Sequence, residues 1–70
     1  MRVKYFADTD TALLEFSTNA PVETREISEN IYLDLDSKGH VVSMTIEHAG
    51  ASADMDEFLY QRIPADLPAS

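Results

Sequence analysis

Asp8 and Asp10, with Glu15 further along, are the first residues whose types and spacing suggest chemistry, namely oxygen ligation of a divalent cation. A calcium loop of the helix–loop–helix kind needs a third oxygen ligand two residues after the second, glycine at its sixth position and glutamate at its twelfth. Here Ala12 stands in the third ligand's place and Leu13 at the sixth position. Asp8-Thr9-Asp10-Thr11 therefore reads first as a turn whose side chains bond their own backbone, with Asp8 and Asp10 left as weak metal candidates. His40 and His48 are the only imidazoles. They lie eight residues apart, about 27 Å along one extended strand, too far to share an ion within a subunit. Asp34 and Asp36 share a strand face about 7 Å apart. Paired carboxylates do acid–base work when burial separates their pKa values, but Asp36 opens a turn and both read as solvated. No serine stands in a nucleophile elbow, because neither Gly39 nor Gly50 brackets one. Cysteine is absent, which excludes a thiol nucleophile, a thiolate metal site and a disulfide. The reading is of no catalytic residue, no resident metal and no cofactor. The enzyme alternative is a small metal-assisted hydrolase built on Asp8, Asp10 and His48.

What must position these residues is one small domain. A folded monomer of 70 residues and 7.8 kDa exposes roughly 4,400 Å² against about 11,300 Å² unfolded, enough for one thin two-layer core. Hydrophobic residues are 44% and charged residues 26%, a globular composition. Thirteen acidic against five basic side chains leave a net charge of −8. Phosphate backbones and anionic lipid repel such a chain, so neither nucleic acid nor a membrane is an expected partner. The start, Met1-Arg2-Val3-Lys4-Tyr5, has no apolar run of signal-peptide length, and no segment approaches the ~20 apolar residues of a membrane span. With cysteine absent, a cytoplasmic protein is expected.

From Met1 to His48 the hydrophobic pattern has period two, the mark of half-buried strands. Val3 and Tyr5, then Ala12, Leu14 and Phe16, then Ile31, Leu33 and Leu35, then Val42, Met44 and Ile46 alternate with more polar neighbours. The pattern predicts an antiparallel meander of about five strands, over roughly 2–7, 12–17, 22–28, 31–36 and 40–48. Asp36-Ser37-Lys38-Gly39 is the strongest turn signal, with an aspartate to accept a backbone hydrogen bond and a glycine for positive φ. Ser28-Glu29-Asn30 reads as a tight joint in which Asn30 tolerates the left-handed region. After Gly50 the spacing of Met55, Phe58, Leu59 and Ile63 turns helical, and Asp54 with Glu57 resembles a capping box. A helix over roughly 53–62, ended by Pro64 and packed on one sheet face, makes an α+β domain. A sixth strand is the rival, since Phe58, Tyr60 and Arg62 also alternate. The domain is read as residues 1–64, with 65–70 a flexible tail.

If the helix covers the face bearing Leu14, Leu33, Met44 and Ile46, the other face still carries Leu13, Ile27, Tyr32 and Val41, with Phe6 beside them. Those four are the candidate interface, and a two-fold homodimer is the expected form. The acidity also suits a basic protein partner, as for an antitoxin-like inhibitor.

Tyr5 to Phe16 (Y-F-A-D-T-D-T-A-L-L-E-F), Glu23-Thr24-Arg25-Glu26, Ile31-Tyr32-Leu33-Asp34-Leu35-Asp36, Gly39 and Ile46-Glu47-His48-Ala49 together resemble the small bacterial proteins grouped as domain of unknown function 2283. The likeness spans about Arg2 to Ala49. Phe6 and Ala7 stand where the family usually has an Asp-Pro pair, so the first turn is expected to differ in detail. The resemblance implies an uncharacterised cytoplasmic bacterial protein with no catalytic residues to carry over, and an inhibitory role toward a toxin-like partner.

Overall fold

The computed structural model describes residues 1–65. Five strands form where the alternation lies: β1 (Arg2–Phe6), β2 (Thr11–Glu15), β3 (Glu23–Ser28), β4 (Ile31–Leu35) and β5 (Val41–Ile46), followed by a short helix, α1 (Ala49–Ser52). All pairings are antiparallel, in the order β1-β2-β5-β4-β3. The hairpin β1–β2 and the meander β3–β4–β5 are thus joined through β2 and β5, which puts β5 at the centre. Residues 16–22 carry the chain past the end of β5 and β4 to the far edge. They are fastened on the way by Phe16 N–H to the Val42 carbonyl (2.8 Å) and Val22 N–H to the Leu35 carbonyl (2.8 Å).

The β4–β5 connection forms as its residues dictate. The Asp36 Oδ1 accepts from the backbone N–H of both Lys38 and His40 at 2.9 Å. Its other oxygen accepts from Asn19 Nδ2 at 3.1 Å, which ties the crossing segment to the same turn. Gly39 takes φ 82°, with nothing within 4 Å of where a Cβ would stand. Asn30 stays at negative φ, and the left-handed positions outside glycine are Asp10 (φ 55°) and His48 (φ 54°) among the described residues. Two β-bulges interrupt the ladders, between Glu26 and Ser28 on β3 and where Leu35 meets Val41.

A short helix near the C-terminus is present and packs against β2, but at Ala49–Ser52 in place of 53–62. Asp54 explains part of the difference. Its carboxylate accepts from the Asp56 N–H at 3.0 Å, making a local turn where the capping box would have bonded Glu57. A helix of ten residues is also marginal without an apolar partner along its length. Residues 53–63 hold neither helix nor strand, so the sixth-strand rival is likewise absent. The expected tail, past Ala65, falls outside the described residues.

The core is thin. Among the described residues, Ala12, Leu35, Val42 and Ala49 are the buried apolar ones, and no large side chain is fully enclosed. Replacing Gly39 by alanine forces a Cβ into positive φ and is expected to cost about 1 kcal/mol, read as a lower urea midpoint. Asp36→Ala removes the acceptor for the turn and for Asn19 together, so its midpoint should fall further; equal midpoints would show that the carboxylate adds nothing.

Candidate interaction surface

Strand register sorts the side chains onto two unlike faces, because directly opposed residues point the same way. Val3, Leu14, Met44, Leu33 and Arg25 form one continuous row across the sheet, and Tyr5, Ala12, Ile46 and Ile31 form the next. This face is apolar except at the β3 edge. The opposite rows are Arg2, Glu15, Ser43, Asp34 and Thr24, then Lys4, Leu13, Thr45, Tyr32 and Glu26. That face is polar and internally bonded. Lys4 Nζ lies 3.0 Å from Glu15 Oε1. The Thr24 hydroxyl donates to Asp34 Oδ1 at 2.6 Å and the Ser43 hydroxyl donates to Asp34 Oδ2 at 2.7 Å.

The four candidate interface residues divide accordingly. Leu13 and Tyr32 sit half-buried in the polar face, separated by Thr45. Ile27 and Val41 are exposed beside the two bulges, where strict alternation lapses. They form no continuous patch with Leu13 and Tyr32 along the register. The apolar face was expected to lie under the helix, yet α1 packs chiefly against β2. Beyond it, the segment from Ala53 to Leu59 passes over Val3, Tyr5, Leu14 and Ile46, leaving a gap of about 510 Å³ beneath Met55, Phe58 and Leu59. The apolar residues of β4 lie outside that gap.

Asp10 sets where this segment starts. Its Oδ1 accepts from the Tyr5 hydroxyl at 2.6 Å and from the Gly50 N–H at 2.9 Å, while its carbonyl accepts from the Ala49 N–H at 2.9 Å. A Cβ on residue 50 would stand 2.9 Å from the same oxygen, so Gly50 permits the close approach. The Tyr5 hydrogen bond, then the Gly50 N–H, hold the Asp10 carboxyl below its ordinary range, and the same bond raises the Tyr5 phenol. Sequence reasoning placed Asp10 in a turn that bonds its own backbone, with a weak metal role as the alternative, and missed this latch. The legible signal was a tyrosine and an aspartate flanking one turn, with a glycine that closes no strand.

The other chemical candidates stand apart. Asp34 is drawn down by the Thr24 and then the Ser43 hydroxyl, and Asp36 chiefly by the His40 N–H. Both carboxyls shift in one direction, whereas an acid–base pair needs them driven apart. His40 Nδ1 lies 3.7 Å from Asp36 Oδ2 at the turn, and His48 precedes α1 beyond the opposite end of β5. Asp8 is exposed, and among the described residues no three of His, Cys, Asp and Glu gather for a metal ion.

Asp10, Asp34 and Asp36 are all held below the ordinary 3.8. Below that pH the unfolded chain binds more protons than the folded one. Their stabilisation is therefore complete above 3.8 and is lost as pH falls through the lower folded values. Tyr5 works in reverse: raised above 10.0, it contributes below that pH and loses its contribution as pH climbs through its folded value. Urea midpoints should thus form a plateau at neutral pH with an acid and an alkaline shoulder. In Tyr5→Phe the alkaline shoulder should shrink and the Asp10 carboxyl, followed by NMR, should titrate higher; an unmoved Asp10 would dissolve the latch.

A family model described as a protein of unknown function (DUF2283) matches residues 2–49, the whole sheet and the first residue of α1. No curated protein and no solved structure matches the chain.

Proposed function

This chain belongs to the DUF2283 family, and we propose that it is a non-enzymatic protein-interaction module that works as a homodimer, two copies stacked through their apolar sheet faces. The observation that carries this reading is the surface left open. The chain exposes 5716 Å², about 1,300 Å² more than the roughly 4,400 Å² expected of a compact monomer of its mass. A stable interface takes about 800 Å² from each partner. The apolar rows, half-buried beneath the loose segment 53–59, supply part of such an area, and charge on them is confined to the β3 edge. Two copies related by a two-fold axis present the same patch to each other, so one apolar surface serves both.

Chemistry supports the module over an enzyme, since Asp10, Asp34 and Asp36 are each occupied by hydrogen-bond donors and the imidazoles lie at opposite ends of β5. No helix among the described residues is long and apolar enough to cross a membrane. A cytoplasmic setting suits a chain without cysteine.

Sedimentation equilibrium tests the proposal. The wild type should be dimeric at micromolar concentration, and tighter in high salt, because screening relieves repulsion between two chains of charge −8. Met44→Glu should give folded monomer by circular dichroism and sedimentation, whereas Leu13→Glu on the polar face should stay dimeric. A wild type that remains monomeric at millimolar concentration would end the homodimer reading, and a dimer broken by Leu13→Glu alone would move the interface to the other face.

A further inference from the structure

We propose that the gap between residues 53–59 and the sheet is a binding site for a small molecule with an apolar body and a protonated amine. The site is independent of self-association, because every wall of the gap comes from one chain.

About 510 Å³ is open there, within the roughly 300–1,000 Å³ of small-molecule sites and far beyond the water-sized voids of a packed interior. The floor is Val3, Leu14 and Ile46 with Tyr5, whose hydroxyl is already given to Asp10 at 2.6 Å and whose ring is left for the gap. The roof is Met55, Phe58 and Leu59. Phe58 and Leu59 remain 62% and 77% exposed, so roof and floor do not satisfy each other. A ligand body between them takes apolar surface out of water on both sides.

The roof is free to adjust to such a body. Its root is fixed, since Asp10 Oδ1 accepts from the Gly50 N–H at 2.9 Å and the Ala53 N–H donates to the Ala49 carbonyl at 2.9 Å. Past that root the Asp56 N–H to Asp54 bond is local, and no hydrogen bond among the described residues ties 54–63 to the sheet. The strap therefore stays over β1 and β2 while its height follows what lies beneath.

Charge selects the head group. Asp54 and Glu57 are the charged residues lining the gap, and both are exposed, which puts them on its solvent side. Neither has an ion-pair partner among the described residues. Lys4 pairs with Glu15 at 3.0 Å on the opposite face, and Arg25 pairs with Glu23 at 2.7 Å on the far edge strand. An apolar chamber thus opens through two carboxylates, in a chain of charge −8. That mouth attracts an ammonium head and repels a carboxylate.

The test is a titration of the full chain at neutral pH with octylamine, octanol and octanoate, which share one apolar body and differ in the head. Methyl resonances of Val3, Leu14, Ile46, Met55 and Leu59 should shift saturably with octylamine while those of the polar face stay still. Octanoate should bind roughly tenfold more weakly or worse, as expected when a pair of exposed charge interactions changes sign. In the double variant Asp54→Asn, Glu57→Gln both altered side chains are exposed, so circular dichroism should be unchanged and the affinity for octylamine should fall to about that for octanol. Shifts absent for all three probes, or scattered over the whole surface, would overturn the site. Octanol or octanoate binding as tightly as octylamine, or a double variant that keeps its preference for the amine, would overturn the assignment of a cationic ligand.

Discussion

A sheet has two faces, and a chain of 70 residues that spends five segments on strands has little left with which to cover either. In this protein the constraint is met by making the faces unlike. One is wetted by an ion pair and by hydroxyl–carboxylate bonds around Asp34. The other collects most of the strands' large aliphatic side chains and receives, among the described residues, only a four-residue helix and a loose strap. Most features of the molecule follow from that imbalance: the thin core, the half-buried leucines and methionine, and the apolar surface still facing water.

β5 is the element on which both halves depend. It receives β2 on one side and β4 on the other, and its neighbouring carbonyls also hold the crossing segment. Asp36 sits at the end of β4 where three paths meet, bonding the following turn and reaching Asn19 in the crossing segment. Asp10 plays the matching part at the opposite end, bonding Tyr5 behind it and the root of α1 ahead. Each carboxylate joins pieces of chain that the ladders alone leave separate.

The strands were legible because period-two alternation is a direct imprint of a half-buried sheet, and their observed limits lie within a residue or two of those read from it. The turn at Asp36–Gly39 was legible because its chemistry is local. Strand order was less so: the β2–β5 pairing joins residues about thirty apart, and no short-range pattern encodes it. The helix was misplaced because Met55, Phe58, Leu59 and Ile63 satisfy helical spacing whether or not a surface waits to receive them. The bond that places Asp10 crosses forty residues to Gly50, so in sequence Asp10 looked like a residue of a self-contained turn.

The bulge beside Ile27 carries a consequence for how copies of this chain can meet. A flat outermost strand invites a neighbour to extend the ladder, and repetition of that event grows a fibril. Here the irregular end of β3, its run of Glu23, Arg25 and Glu26, and the cationic side chains of Arg2 and Lys4 on β1 make both margins poor templates. Lateral growth is discouraged at each rim while stacking stays open. An aggregation-prone architecture is thereby steered toward a finite assembly.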